Sequence, residues 1–137
     1  MCLKQIQLNS VQRFLESEKG FVDKYDTYIK FYERIRSEKN NALKKFKSLK
    51  GSSVGYGAPA KATTILNYYG IKLPYTIEDN AAKQGKYIPG VKTKIISKHE
   101  MESIPDNIIV LAWNFFEEIK ANNTDLLNKG VNFVTLK

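Results

Sequence analysis

One cysteine, one histidine and three arginines are all that this chain of 137 residues holds of those types. Cys2 has no second thiol to pair with, so an internal disulfide and a cysteine-rich zinc site are both excluded. His99 likewise lacks the partners that a histidine metal centre or a Cys-His dyad needs. The carboxylates that adjoin in sequence, Glu78-Asp79 and Glu117-Glu118, point apart on a strand or helix and make no acid/base pair. No catalytic residue and no metal are therefore expected in this chain. No apolar run reaches the roughly eighteen residues of a helical membrane span, so no membrane partner is expected. The opening residues Met1-Cys2-Leu3-Lys4-Gln5 lack the charged, apolar and small-residue order of a secretory leader, and a reducing, cytoplasmic setting is expected.

The net charge is +8, which invites a nucleic-acid reading. Scarcity of arginine argues against it, because only Arg13, Arg34 and Arg36 can make forked contacts with bases or phosphates. The lysines are scattered, and Lys44-Lys45-Phe46-Lys47 reads as the solvated side of a helix. No nucleic-acid partner is expected.

What the chain does have is a glycine-rich turn, Ser53-Val54-Gly55-Tyr56-Gly57-Ala58-Pro59-Ala60-Lys61, between a strand-like run and a helix-like one. Gly55, Gly57 and Ala60 fill the three small positions of a Rossmann turn, where main-chain N–H groups and a helix N-terminus can approach a phosphate. Pro59 suits a first-turn position and Lys61 stands beside it. Asp79 follows Gly55 by 79 − 55 = 24 positions, close to the spacing of the acidic residue that receives a ribose. The alternative is a plain strand-to-helix turn whose glycines serve close packing.

Before this turn the pattern is helical. A short helix is expected from Ser10 to Gly20. A long one follows, with an apolar seam at Tyr25, Tyr28, Tyr32, Ile35, Ala42, Phe46 and Leu49, interrupted at Lys39 and stopped by Gly51. Packing of this seam on the chain's own sheet is the favoured reading; docking of another domain, or a homodimer through the N-terminal helix, is the alternative. After Ser52, strands are expected at Ser53–Gly55, Tyr75–Glu78, Lys94–Ile96, Asn107–Leu111 and Val131–Leu136, and helices at Pro59–Tyr69 and Phe115–Asn128, with a turn over Lys98–Ser103. Fully apolar strands such as Ile108-Ile109-Val110-Leu111, alternating with helices, imply a parallel sheet covered on both faces. The expected fold is α/β: residues 51–137 as a small Rossmann-like, doubly wound parallel sheet, and residues 1–50 as a helical extension packed on it, one structural domain overall.

Ligands of such sheets collect beyond the carboxyl ends of the strands, where strand order reverses. The candidate substrate-binding residues are accordingly Gly55, Gly57, Ala58 and Lys61 on the first loop, Asp79 and Lys83 on the second, and Trp113 and Asn114 on the third. Asp79 can accept ribose hydroxyls and Lys83 can neutralise phosphate, or the second loop is an ordered surface loop turned at Gly85 and Pro89-Gly90. Trp113 can stack on a ring or pack the sheet against a helix, and for Asn114 capping of the next helix is the favoured reading.

The order of Val54-Gly55-Tyr56-Gly57-Ala58-Pro59-Ala60-Lys61, Leu66-Asn67-Tyr68-Tyr69-Gly70-Ile71, Asp79 to Gly90, and Ala112-Trp113-Asn114-Phe115 resembles the C-terminal domain of the sugar C-methyltransferase family, which uses S-adenosylmethionine to methylate keto-deoxysugar nucleotides. Phe21, Tyr25, Tyr28 and Phe31 are placed like the helices that precede the glycine loop in that family. The resemblance covers Ser10 to Lys137, and Ala62 and Ala81 stand where the family more often has Gly and Pro. It implies a Rossmann-like domain that closes over a sugar nucleotide. The zinc-binding and methyl-donor domains are expected to lie outside this chain, with S-adenosylmethionine a cofactor of the complete enzyme and a methyltransferase domain the partner, in cis or in trans. A separate dinucleotide- or CoA-binding module is the alternative.

Overall fold

The computed structural model describes residues 3–137, and side chains from residue 9 onward; Cys2 lies outside the described residues. Two compact units emerge, one ending at Ser37 and the other running Glu38–Lys137.

The first unit holds α1, Leu3–Glu18, and the opening of α2, Tyr25–Ser48. The earlier start of α1, ahead of Ser10, follows from good helix formers and no breaker among residues 3–9. Tyr25, Tyr28 and Tyr32 stand exposed at 77%, 56% and 57%.

In the second unit five strands form an all-parallel sheet ordered β3-β2-β1-β4-β5: β1 Ser53–Tyr56, β2 Tyr75–Ile77, β3 Lys94–Ile96, β4 Asn107–Val110 and β5 Asn132–Val134. Order reverses between β1 and β4, where Ser53 pairs with Asn107 and Tyr56 with Val110. Alternation along β4 splits two cores. Ile109 and Leu111 join Ala42, Leu43 and Phe46 of α2 and Leu66 of α3, Ala60–Tyr69, on one face. Ile108 and Val110 join Val54, Tyr56 and Ile77, covered by Ile119 and Leu126, on the other. The expected doubly wound sheet is present, and Ala42, Leu43 and Phe46 of α2 pack on it.

Lys39, the break in the seam, reaches the C-terminal end of α3, where its ammonium donates to the Tyr68 carbonyl and lies 4.5 Å from that ring's centre. A cation is favourable at that end of a helix dipole. α2 ends at Ser48, and Gly51 (φ +80°) carries the chain so close to Asp106 that a Cβ there would displace its carboxylate. The Asp106 carboxylate accepts from Ser52 N–H at 2.7 Å and Ser52 Oγ at 2.9 Å, tying the start of β1 to the start of β4.

One expected helix is two. α4, Phe116–Ala121, and α5, Thr124–Leu127, are divided at Asn123, which is buried. Its amide donates to Tyr56 Oη at 3.2 Å and to the Ile119 carbonyl at 2.7 Å. A polar side chain drawn inward by two acceptors turns the chain where helical periodicity alone would run on.

Candidate functional site

A crevice of about 300 Å³ opens at the carboxyl ends of β1, β2 and β4, at the reversal of strand order. Gly57, Ala58, Asp79 and Lys83 line it, together with Tyr56, Glu78 and Glu118. The position is the one at which open parallel sheets receive ligands.

Four of the eight candidate residues thus meet in one place, and the other four do not. Gly55 lies inside the sheet, where a Cβ would come within 2.7 Å of Thr76 Oγ1 and 3.1 Å of Leu111 Cδ1, so its bareness serves strand packing. Trp113 lines a different groove, of about 360 Å³, with Ala42, Ile65 and Leu136. Lys61 places its ammonium 3.9 Å from the centre of the Trp113 ring and does not line the crevice. Asn114 lines neither cavity. It falls inside a short 3₁₀ turn, Trp113–Phe115, and α4 is preceded by Phe115 with no side-chain cap, so the expected capping by Asn114 is corrected.

At the turn itself Gly57 has φ +86°, and a Cβ there would meet the Ala112 methyl at 2.9 Å. Its N–H donates to the Ile77 carbonyl at 2.7 Å. The Ala58 N–H donates to Glu78 Oε2 at 2.8 Å. Pro59, which brings no N–H, stands just before α3 rather than in its first turn.

Glu78 follows the last residue of β2 and is held from four sides. Its Oε1 accepts from Asn80 N–H at 3.1 Å, Lys83 Nζ lies 3.3 Å from Oε2, and Lys83 also donates to the Ala58 carbonyl at 3.2 Å. The Gln84 amide donates to the Glu78 carbonyl at 2.7 Å. Burial by itself pushes the Glu78 carboxyl up, but the Asn80 and Ala58 N–H groups and Lys83 outweigh it and hold the group below the usual carboxylate range.

Beside it, Tyr56 donates its hydroxyl to Asp79, 2.9 Å from each carboxylate oxygen. Burial pushes the Tyr56 phenol up to about 12; the hydrogen bond from Asn123 works against this rise, and Asp79 adds to it. Tyr56 and Glu78 were missed as site residues in the sequence. The signal for Glu78 was its place beside Asp79 at the strand end; for Tyr56 it was the position between the two glycines, where strand alternation turns a side chain away from the packed Gly55.

The sequence model of the C-methyltransferase C-terminal domain matches residues 3–136. The chain belongs to this family. Over 114 residues it is 28% identical to C-methyltransferase NovU of Streptomyces niveus, a match that takes in 80% of this chain and 27% of that protein. The chain therefore spans about a quarter of the length of the curated C-methyltransferase it matches. As expected of a family member, it has an α/β fold with a five-stranded parallel sheet and N-terminal helices. Among the described residues, no helix is long and apolar enough to cross a membrane and no cluster of acidic residues, cysteine and histidine could hold a metal.

The methyl donor that the family suggests for the complete enzyme is S-adenosylmethionine. S-adenosylmethionine would bring its amino-acid carboxylate to the glycine turn, whose Gly57 and Ala58 N–H groups already have acceptors. The residues present do not fit the donor.

Proposed function

We propose that this chain is the C-terminal, substrate-side and domain-closing part of an S-adenosylmethionine-dependent sugar-nucleotide C-methyltransferase. The methyl donor and the base that forms the enolate come from a methyltransferase domain, in cis or in trans. The observation that carries this reading is the crevice at the β1/β4 reversal in a chain of this family, lined by groups that accept and donate hydrogen bonds but hold no acid/base pair of their own. Asp79 and Glu118 carry acceptor lone pairs for sugar hydroxyls, while Lys83 is held by Glu78 and the Ala58 carbonyl. The groove at Trp113 lies next to the same strand end and supplies an apolar wall for the rest of such a ligand.

The protein alone does not turn over substrate in this reading; its chemistry is binding and positioning. Titration with nucleoside diphosphate sugars, followed by thermal unfolding, tests it: a bound ligand raises the midpoint in proportion to its concentration over Kd. Absence of any shift at millimolar concentration, while the complete enzyme still requires this domain, would leave it a packing role only. A dinucleotide- or CoA-binding module asks more of the glycine turn than this, since both ligands rest a pyrophosphate on its main-chain N–H groups.

A further inference from the structure

Three consecutive positions form the crest of the turn after β1, and each is closed to an incoming anion. Gly57 gives its N–H to Ile77, Ala58 gives its N–H to Glu78, and Pro59 has none to give. In a phosphate-binding turn these groups face the ligand together with the first N–H groups of the helix that follows.

The carboxylate on Ala58 is more than an incidental neighbour. Its oxygens take up an amide N–H at 2.8 Å, a second amide N–H at 3.1 Å and an ammonium at 3.3 Å, the same set of donors a phosphate oxygen would seek. Lys83, the one cation in the crevice lining, is spent on this contact and on the Ala58 carbonyl. Asp79 and Glu118 add two further negative charges to the same walls. A dianion entering here would lose water, find no free donor at the crest and meet carboxylates of its own sign.

We propose that Glu78 is a specificity-determining residue, a built-in anion that occupies the glycine turn and bars phosphate from it. The crevice then admits an uncharged, hydroxyl-bearing part of a ligand, and a diphosphate must lie outside it. Naming the ligand a sugar nucleotide rests on the function proposed above; the exclusion of phosphate does not.

Inorganic pyrophosphate is the probe, because it carries neither sugar nor base and its result is independent of whether any sugar nucleotide binds. Amide NMR spectra of the full chain are recorded as pyrophosphate is added to millimolar concentration. In the native protein the Gly57 and Ala58 signals stay in place. In Glu78→Ala, which frees the Ala58 N–H and Lys83 together, they move along a saturable curve, with affinity at least tenfold above native. Glu78→Gln, which keeps an acceptor but removes the charge, serves where the alanine variant fails to fold, and the same gain is expected through Lys83. Saturable movement of the native Ala58 signal overturns the proposal, as does a folded variant as indifferent to pyrophosphate as the native chain.

Discussion

Tyr56 of β1 donates its hydroxyl to the carboxylate of Asp79, 23 positions later, at 2.9 Å from both oxygens. This bond joins the ends of two neighbouring strands in the crevice lining, and the Asn123 amide donates to the same hydroxyl at 3.2 Å. Tyr56→Phe removes both at once while keeping the ring in the core. A loss of about 1–2 kcal/mol in unfolding free energy is expected at neutral pH, measured by urea denaturation.

The same phenol sets an alkaline limit. Its folded value of about 12 lies above the ordinary 10.0, so the fold favours the protonated form. That contribution is complete below pH 10.0 and drains away as pH rises from there through about 12. Unfolding midpoints should fall over this window in the native chain and fall less in Tyr56→Phe. Absorbance titration at alkaline pH should lose its latest-titrating tyrosine in the variant.

Glu78 sets the opposite limit. Its carboxyl is held below the ordinary 4.5, so its charged form stabilises the fold above that pH and the contribution is lost as pH falls through the depressed value. Glu78→Gln should cost about 1–3 kcal/mol at pH 7. The stability gap between native and variant should narrow on acidification below 4.5, which denaturation curves at several pH values would record.

Gly55 is needed for space, not for a left-handed backbone. Gly55→Ala would drive a methyl against Thr76 Oγ1 and Thr76 Cβ, at 2.7 and 2.9 Å, and should destabilise by about 1–3 kcal/mol. Gly85→Ala meets no neighbour within 4 Å and suffers only from φ +77°, at a cost of about 1–2 kcal/mol. Differential scanning calorimetry of the two variants separates the causes, because only the first should be eased by a smaller residue at position 76.

The α2 seam should behave as two surfaces. Phe46→Ala removes a ring packed among Ala42, Leu66 and Ile109 and should cost about 2–4 kcal/mol. Tyr32→Ser, at a position 57% exposed, should change unfolding by no more than about 0.5 kcal/mol. Equal losses in chemical denaturation would show the tyrosine stripe to be covered in solution.

These positions also show what the sequence carries. The parallel sheet was legible because Ile108-Ile109-Val110-Leu111 is apolar on both sides, which only a strand covered twice requires. The long helix was legible from its seam, yet periodicity names a face without naming what lies opposite, and Tyr25 and Phe46 read alike. Asn123 hid the division between α4 and α5, since an inward amide is indistinguishable from an outward one until its acceptors are known. Four residues of the crevice lining were legible from the turn and strand ends. The state of its N–H groups was not, because the acceptor on Ala58 is a side chain 20 positions away.

The tie between Ser52 and Asp106 spans 54 positions, and the central β1–β4 ladder starts just beyond it. Both middle strands must therefore wait for a large loop to close before they can pair, a topology that slows folding. During synthesis the first strand emerges long before its partner, and the half-made sheet has an open edge in the interval. Refolding slower than that of a helical bundle of equal length is the kinetic signature of this strand order.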